Sequence, residues 1–222
     1  GLINDLVSVS EVVKNHNLRF IVDAMSSFGA VDVNVAELGI DFLISSANKC
    51  IQGVPGFSFI IARREALTAT EGNARTISLD LHSQWKTMEK DNGKWRFTSP
   101  THVVAAFAQA LRELQQEGGV TVRGERYAAT NRKLREGMRA LGFEPFVSEA
   151  FQGPIITTFL YPEGRNLDFK HMHHWLKEQG YVIYPGKLTD QDTFRIGNIG
   201  EIYDADADRI LELFAQYTKE FM

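Results

Sequence analysis

Apolar residues are arranged along the chain in two patterns, a helical spacing and short continuous runs typical of buried strands. A helical spacing of apolar residues runs through Leu6, Val9 and Val12 near the start. Nearly continuous apolar runs then predict strands at residues 18–22, 40–44 and 57–62. Runs of this kind are typical of strands covered on both faces. Strands that alternate with helices in this way predict an α/β fold built on a mostly parallel sheet.

The remainder of the chain is mostly helical in pattern, with one long polar and aromatic stretch. Helices are predicted at residues 64–69, 103–116, 120–141, 168–179 and 204–221. Short strands are predicted at residues 143–147, 155–160, 182–184 and 194–196. Residues 73–97 show no clear period and predict a loop, whose length is typical of a functional or interfacial segment. Gly118 and Gly119 interrupt the helical pattern, and we expect a larger domain at residues 1–118 and a smaller α+β domain at residues 119–222.

Residues 41–56 contain the first candidate for chemistry. A short apolar run gives way to small and polar residues, presents Lys49, and ends in a turn rich in glycine and proline. Lysine is rarely buried unless it is paired or has a task. An amine held in a desolvated pocket can lose its proton and attack a carbonyl carbon. The alternative is a lysine that lies in a loop exposed to solvent.

A second candidate, Asp23, comes directly after the predicted strand at residues 18–22. Ligands of open α/β sheets bind beyond the carboxyl ends of the strands, so Asp23 and Lys49 would lie at one edge, on neighbouring strands. Pyridoxal phosphate (PLP) requires a carboxylate that pairs with its pyridinium nitrogen and a lysine that binds its aldehyde. The alternative for Asp23 is a turn residue or a helix N-cap.

Four motifs resemble those of the class V aminotransferases, which have PLP fold type I, and they occur in the same order. The motifs are DAMSSFG at residues 23–29, SSANKCIQGVPG at 45–56, TSPTH at 98–102 and FRIGNIG at 194–200. The resemblance covers the whole chain and implies a PLP-dependent transaminase, with residues 1–118 as the C-terminal part of the PLP-binding domain. Around Lys49 and Arg195 the sequence is most similar to family members that move the amino group of 2-aminoethylphosphonate to pyruvate.

The resemblance assigns roles to several residues of the first two motifs. Lys49 would bind the cofactor covalently and then carry the proton, while Asp23 would pair with the pyridinium nitrogen. Ser26 and Ser27 could bond the phenolic oxygen or the phosphate of the cofactor, and the alternative for both is helix capping. Asn48 could bond the phosphate or simply shape the turn.

The last two motifs contribute Thr98 and Arg195. Free N–H groups at a helix start favour an anion, and the resemblance assigns Thr98 to the phosphate of the neighbouring subunit's cofactor, which requires at least a dimer. The alternative is a capping residue in a helix that starts with Ser99 as N-cap and Pro100 at its first position. Arg195 lies within a predicted strand, where a charge is costly unless it is used. The resemblance assigns it to the substrate anion, and the alternative is an ion pair with an acid such as Asp192.

Other reactive side chains support less specific interpretations. His171, His173 and His174 lack the i, i+4 spacing of a zinc-binding helix, so we interpret them as a mixed surface face and predict no metal site. Cys50 adjoins Lys49, and we interpret it as a packing residue, the usual role of a small buried thiol. Lys187 could line the substrate entrance or be exposed.

The composition narrows the possible partners. In 222 residues, 24 basic and 28 acidic side chains give a net charge of 24 − 28 = −4, which offers no electrostatic case for nucleic acid or an anionic membrane surface. No apolar run approaches the ~18 residues of a membrane span, and no signal peptide pattern is visible. The single cysteine fits a reducing compartment. We therefore expect a cytoplasmic protein, and the resemblance implies a homodimer that acts on a small amine donor and pyruvate.

Two alternatives remain open. Within the class, the chain could be an alanine–glyoxylate or serine–glyoxylate type aminotransferase or a PLP lyase, although a cysteine desulfurase would need a reactive cysteine on a mobile loop. From a different class, it could be a non-catalytic fragment or interaction subunit. The family's chains begin earlier, with a phosphate-binding glycine-rich turn and an aromatic residue that stacks on the cofactor ring. Because the chain does not begin with methionine, we expect that N-terminal part to be missing.

Overall fold

A computed structural model describes residues 1–186, 188 and 190–222. Lys187 lies outside the described residues, so its position, at the substrate entrance or exposed to solvent, stays a prediction. The chain divides into two compact units. One consists of residues Asp5–Gln116, and the other combines Gly1–Asn4 with Glu117–Met222.

A three-stranded sheet lies at the centre of the unit at residues 5–116. Strand β1 (Ile21–Asp23) runs parallel to β2 (Phe42–Ser46), and β2 runs antiparallel to β3 (Ser58–Ala62). The long connection between β1 and β2 permits a crossover, whereas the shorter loop at residues 47–57 contains no helix and returns the chain antiparallel. The described part of this sheet is therefore mixed, with one parallel and one antiparallel pair.

Four helices belong to this part of the chain: α1 (Leu6–Asn15), α2 (Arg64–Thr68), α3 (Leu81–Lys90) and α4 (Thr101–Glu117). The core under β1 and β2 contains Phe20, Val22, Ile40 and Leu43, with Leu6 of α1 packed against it. Burial of these side chains, at about 25 cal/mol per Å² of apolar surface, is the main term that holds the helix to the sheet.

The prediction that the strands are covered on both faces is wrong for β1 and β3 within the described chain. Ile21 is 60% exposed, and Ile60 and Ile61 are each 39% exposed. An apolar run reveals that a segment can be buried, but the neighbours that cover it are set by the tertiary structure.

The prediction of an irregular loop at residues 73–97 is wrong in its middle, where α3 forms. The Asp80 side chain caps this helix by accepting a hydrogen bond from the Ser83 N–H at 2.9 Å. Leu81, Trp85 and Met88 follow at i, i+4 and i+7 and line a cavity of about 300 Å³ next to β3 and α2. Both signals were present in the sequence, although the polar residues between them obscured the period.

The second unit contains an antiparallel sheet in the order β4-β6-β5, formed by β4 (Ile156–Leu160), β5 (Tyr184–Pro185) and β6 (Thr193–Gly197). Its helices are α5 (Gly119–Ala140), α6 (Phe169–Glu178) and α7 (Asp204–Phe221). The predicted strand at residues 143–147 is wrong, since only an isolated bridge joins Pro145 to Phe159. Phe143 instead packs its ring edge-on against Phe194 in the core, with centroids 5.6 Å apart.

Candidate active site

The carboxyl ends of β1 and β2 form one edge of the first sheet. Asp23 is the last residue of β1 and pairs in register with Ile44, while Lys49 follows three residues after β2 ends. Because the two strands are parallel, their following segments leave the sheet at the same edge. Asp23 is exposed, and its Oδ1 accepts a hydrogen bond from the Met25 N–H at 2.9 Å. Its carboxylate therefore shapes the turn and remains accessible.

Lys49 lies half-buried in the loop at residues 47–57. Its carbonyl accepts a hydrogen bond from the Gln52 N–H at 2.8 Å, and the Gly53 N–H donates to the Ala47 carbonyl at 2.8 Å. A Cβ on Gly53 would lie 2.7 Å from that same carbonyl oxygen, so a glycine is required for the turn to close. This turn holds the lysine backbone in one place.

The other polar residues of these two motifs are available for a ligand. Ser26 and Asn48 are exposed and Ser27 is half-buried. Across the residues that the structure describes, none of these three side chains makes a hydrogen bond. No helix begins at Ser26 or Ser27, so the capping alternative for the two serines has no helix to act on.

Thr98 is exposed and lies three residues before α4. The helix begins at Thr101, one residue later than the predicted start at Pro100. The Ser99 carbonyl accepts a hydrogen bond from the Thr101 N–H at 2.9 Å, and the Pro100 carbonyl accepts one from Val104 at 3.0 Å. Thr98 thus precedes the first turn and does not cap it.

Arg195 belongs to the second unit, at the middle of β6, where it is half-buried. Its Nε–H donates to the Pro185 carbonyl at 3.0 Å, and its guanidinium lies 5.7 Å from the centre of the Tyr184 ring. No ion pair joins it to Asp192 or to any other acid that the structure describes. The contacts through Nε leave the two terminal nitrogens as a planar fork suited to carboxylate or phosphonate.

The histidines of α6 are engaged with their neighbours. His171 Nδ1 lies 2.9 Å from the Tyr217 hydroxyl, and His174 Nε2 lies 3.3 Å from Glu178. Among residues 1–186, 188 and 190–222, no three potential metal ligands cluster together. Within those same ranges, no helix has the length and apolar character needed to cross a membrane.

Cys50, which the sequence analysis interpreted as a packing residue, is fully buried. Its Sγ–H also donates to the Ser26 carbonyl at 3.3 Å, which links the turn after Asp23 to the loop of Lys49. The sequence does not predict this link, because nothing in the spacing of Ser26 and Cys50 indicates a contact.

Comparison with known proteins identifies the family of this chain. The family model of aminotransferase class-V matches residues 1–197. The chain belongs to the class-V aminotransferase family. A 2-aminoethylphosphonate–pyruvate transaminase of Bacteroides fragilis (strain YCH46) is 59% identical over 213 residues, which are 96% of this chain and 59% of that protein. One of Klebsiella pneumoniae is 54% identical over 222 residues, 99% of this chain and 60% of that protein.

The class-V aminotransferase fold also agrees with solved structures. The alanine–glyoxylate aminotransferase of Nostoc sp. superposes with a TM-score of 0.84 at 22% identity, over 97% of this chain and 58% of that one. At this identity the likeness shows the fold alone. The predicted α/β class, as a partial PLP fold type I architecture, is confirmed. The division into a larger domain at residues 1–118 and a smaller one at residues 119–222 stays a prediction. The chain spans about 60% of the length of the curated relatives it matches.

Class-V aminotransferases depend on PLP, so the predicted cofactor is confirmed for the family. The residues at the β1–β2 edge fit this group. They comprise an accessible carboxylate, Asp23, a half-buried amine, Lys49, and hydroxyl and amide groups at Ser26 and Asn48 that no described residue engages. This donor set matches the pyridinium nitrogen, the aldehyde and the phosphate of the cofactor.

Proposed function

We propose that the protein is a PLP-dependent aminotransferase that transfers the amino group of 2-aminoethylphosphonate to pyruvate. The products are phosphonoacetaldehyde and L-alanine. The observation that supports this most strongly is the identity of 54–59%, over 96–99% of the chain, to relatives with that name. The compartment we propose is the cytoplasm, in line with the single cysteine.

PLP, when bound, supplies an electron sink for negative charge at the substrate carbon that carries the nitrogen. Asp23 accepts a hydrogen bond from the protonated pyridinium nitrogen and keeps it charged. Lys49 supplies the amine that binds the aldehyde of the cofactor. With substrate bound, the Lys49 amine would act as the general base that removes the proton from the carbon carrying the nitrogen, and as the acid that returns a proton.

Short polar side chains would bind the phosphate and phenolic groups of the cofactor. We assign Ser26 and Asn48 to them, since both side chains are exposed at the same edge of the sheet as Asp23 and Lys49. Thr98 binds the phosphate of the cofactor in a partner subunit. This assignment makes the protein a homodimer with shared active sites.

Arg195 binds the anionic group of each substrate in turn. The donor carries a phosphonate and the acceptor carries a carboxylate, so one group must accept both. A guanidinium meets this requirement because its fork of N–H donors matches two oxygens of either anion. The contact of its Nε with Pro185 keeps the fork in one orientation, which lowers the entropy lost on binding.

The test combines donor selectivity with one substitution. The purified protein, supplied with PLP, should form alanine from pyruvate when 2-aminoethylphosphonate is the donor. Lys49→Ala should lower the rate on the order of 10²- to 10⁴-fold, the contribution of a positioned general base. Lys90→Ala, an exposed lysine of α3, is the matched control and should leave the rate unchanged.

Two results would contradict the proposal. Transfer from alanine or serine to glyoxylate, with no reaction of the phosphonate, would identify a glyoxylate-type aminotransferase. A protein that binds no PLP, as judged by the visible absorbance of the cofactor, would be a non-catalytic member of the family.

A further inference from the structure

The segments that follow β1 and β2 need a connection beyond the sheet. The last backbone hydrogen bond between them runs from the Ala24 N–H to the Ile44 carbonyl at 2.8 Å. Asp23 is the last paired residue of β1, and beyond Ala24 ladder hydrogen bonds no longer set the distance between the turn at residues 24–29 and the loop of Lys49. Contacts made by side chains can set that distance instead.

Two buried side chains provide such a constraint. The Ser45 hydroxyl donates to the Ala24 carbonyl at 3.2 Å, and the Cys50 thiol donates to the Ser26 carbonyl at 3.3 Å. Both donors are 0% exposed. Each begins in the segment of β2 or Lys49 and ends on the turn after Asp23. The two bonds therefore join the same two stretches of chain, residues 45–50 and residues 24–26.

Packing supports the same contact. Gly29, at the far end of the turn, lies against Ile51, and a Cβ on Gly29 would come within 2.8 Å of Ile51 Cδ1. Ile51 is itself buried. The turn after Asp23 thus contacts Cys50 and Ile51, the two residues that follow Lys49. Because both donors are buried, the low local dielectric strengthens the two hydrogen bonds.

We infer that Ser45 and Cys50 are positioning residues, which hold the carboxylate of Asp23 at a set distance from the amine of Lys49. The inference rests on the proposed function, in which one ring must meet both groups at once. Ser45 and Cys50 touch neither substrate nor cofactor in this arrangement and act through the turn backbone. By fixing the Asp23–Lys49 distance, they would allow both groups to reach the same pyridine ring.

The experiment compares Ser45→Ala, Cys50→Ala and Cys50→Ser in the purified protein with added PLP. The affinity for PLP and the pH at which the absorbance of bound PLP changes are measured together with thermal unfolding. Ser45→Ala and Cys50→Ala should weaken PLP binding about five- to tenfold, which is the effect of one lost buried hydrogen bond. They should also shift the pH of the absorbance change, because the charge of Asp23 moves relative to Lys49.

Cys50→Ser retains a hydrogen-bond donor and should restore PLP affinity to within about twofold of the wild type. Ser10→Ala is the matched control. Ser10 is a buried serine of the same unit whose hydroxyl donates to the Leu38 carbonyl at 2.6 Å, away from both segments. This variant should lose thermal stability as Ser45→Ala does, with unchanged PLP affinity and absorbance.

Three outcomes separate the possibilities. Normal PLP affinity and an unshifted pH in both alanine variants would overturn the inference and leave the proposed function intact. Equal losses of affinity in Ser10→Ala and Ser45→Ala would also overturn it, since the effect would then be one of general stability. A wild-type protein that binds no PLP would overturn the proposed function and the inference with it.

Discussion

At the scale of single residues, Arg195 has a guanidinium that is oriented by neighbouring groups and keeps its positive charge. Its Nε–H is bound to the Pro185 carbonyl, and the Tyr184 ring lies beside its guanidinium. Neither contact neutralises the charge, and no described acid does so. A half-buried cation with this arrangement is suited to a ligand anion.

Replacing Arg195 by lysine should raise KM for both substrates at least about tenfold, since the lysine loses a charge-assisted bond and the planar fork. The rise should appear for 2-aminoethylphosphonate and for pyruvate alike, because the proposed function assigns both anions to the same guanidinium. Steady-state kinetics with each substrate varied in turn provide the measurement. Arg165→Lys, an exposed arginine of the same unit, is the control, and an unchanged KM in Arg195→Lys would refute the role.

Gly29 lies where both the backbone conformation and the close approach of a neighbouring side chain favour glycine. Its φ is +99°, in the region that favours glycine, and a Cβ would lie 2.8 Å from Ile51. Gly29→Ala should therefore lower the free energy of unfolding by about 2–4 kcal/mol, from backbone strain and overpacking together. Gly72→Ala, at φ +76° with open space around it, should lose only the ~1–2 kcal/mol of strain. Equal losses in denaturant unfolding would show that the contact with Ile51 does not matter.

At the scale of elements, the direction of strands and the caps of helices decide which side chains meet. The parallel pair β1–β2 brings the segments of Asp23 and Lys49 to one edge. Helix α3 depends on a single cap, since the Asp80 side chain accepts a hydrogen bond from the Ser83 N–H. The helix in turn places Leu81, Trp85 and Met88 in the wall of the cavity beside β3.

Removal of the α3 cap by Asp80→Ala should cost about 1 kcal/mol of unfolding free energy, typical for a lost N-cap. Amide hydrogen exchange should accelerate at residues 81–90 and remain unchanged in the sheet. Asp5→Ala removes the equivalent cap of α1, where the side chain accepts from Val7 and Ser8, and serves as the control. Faster exchange of α3 in the Asp5 variant as well would indicate that the effect is not local to the cap.

At the scale of the whole molecule, a partly buried ionic cluster links stability to pH. Glu117 bonds Arg123 Nε and Arg126 Nε, each at 2.7 Å, and Arg126 also donates to the Gly200 carbonyl at 2.9 Å. Burial by itself raises the pKa of the Glu117 carboxyl. The hydrogen bonds and charges of the two arginines outweigh burial, so the pKa is lowered from its usual value of 4.5.

Because the folded pKa of Glu117 lies below its unfolded value, its contribution is present above pH 4.5 and is lost as the pH falls through the folded pKa. Glu117→Gln should lose about 1.5–3 kcal/mol at neutral pH, the worth of hydrogen bonds to charged groups. It should also show a smaller further loss than the wild type below pH 4.5. Denaturant unfolding across the acid range is the measurement. Glu125→Gln, exposed in α5, is the control, and parallel curves for Glu117→Gln and wild type would refute this role.

Sequence patterns predicted most elements of the fold because helices and strands bury one periodic face. The helices α1, α2, α5, α6 and α7 and the strand β4 appear close to their predicted positions. The pattern was misleading where a polar surface masked a short apolar stripe, as in α3. It was also misleading at Phe143, whose apolar neighbours resemble a strand although its ring packs into the core from a turn.

The candidate site divides in the same way. Local motifs were enough to select Asp23, Lys49 and Arg195, since a charge beside a buried strand is conspicuous in the sequence. The hydrogen bonds of Ser45 and Cys50 could not be predicted from the sequence. Their partners lie 21 and 24 residues away, respectively, and no periodic pattern relates such positions. The orientation of Arg195 was equally hidden, since it depends on the carbonyl of Pro185 in another strand.

The sequence alone therefore predicted the α/β class and the family and proposed candidate reactive groups, since periodicity and motif chemistry are local properties of a chain. Only the tertiary structure decided that β2 and β3 run antiparallel and that buried donors join the turn after Asp23 to the loop of Lys49. These features depend on contacts between distant residues. Such contacts exist only once burial of the core has brought the strands side by side.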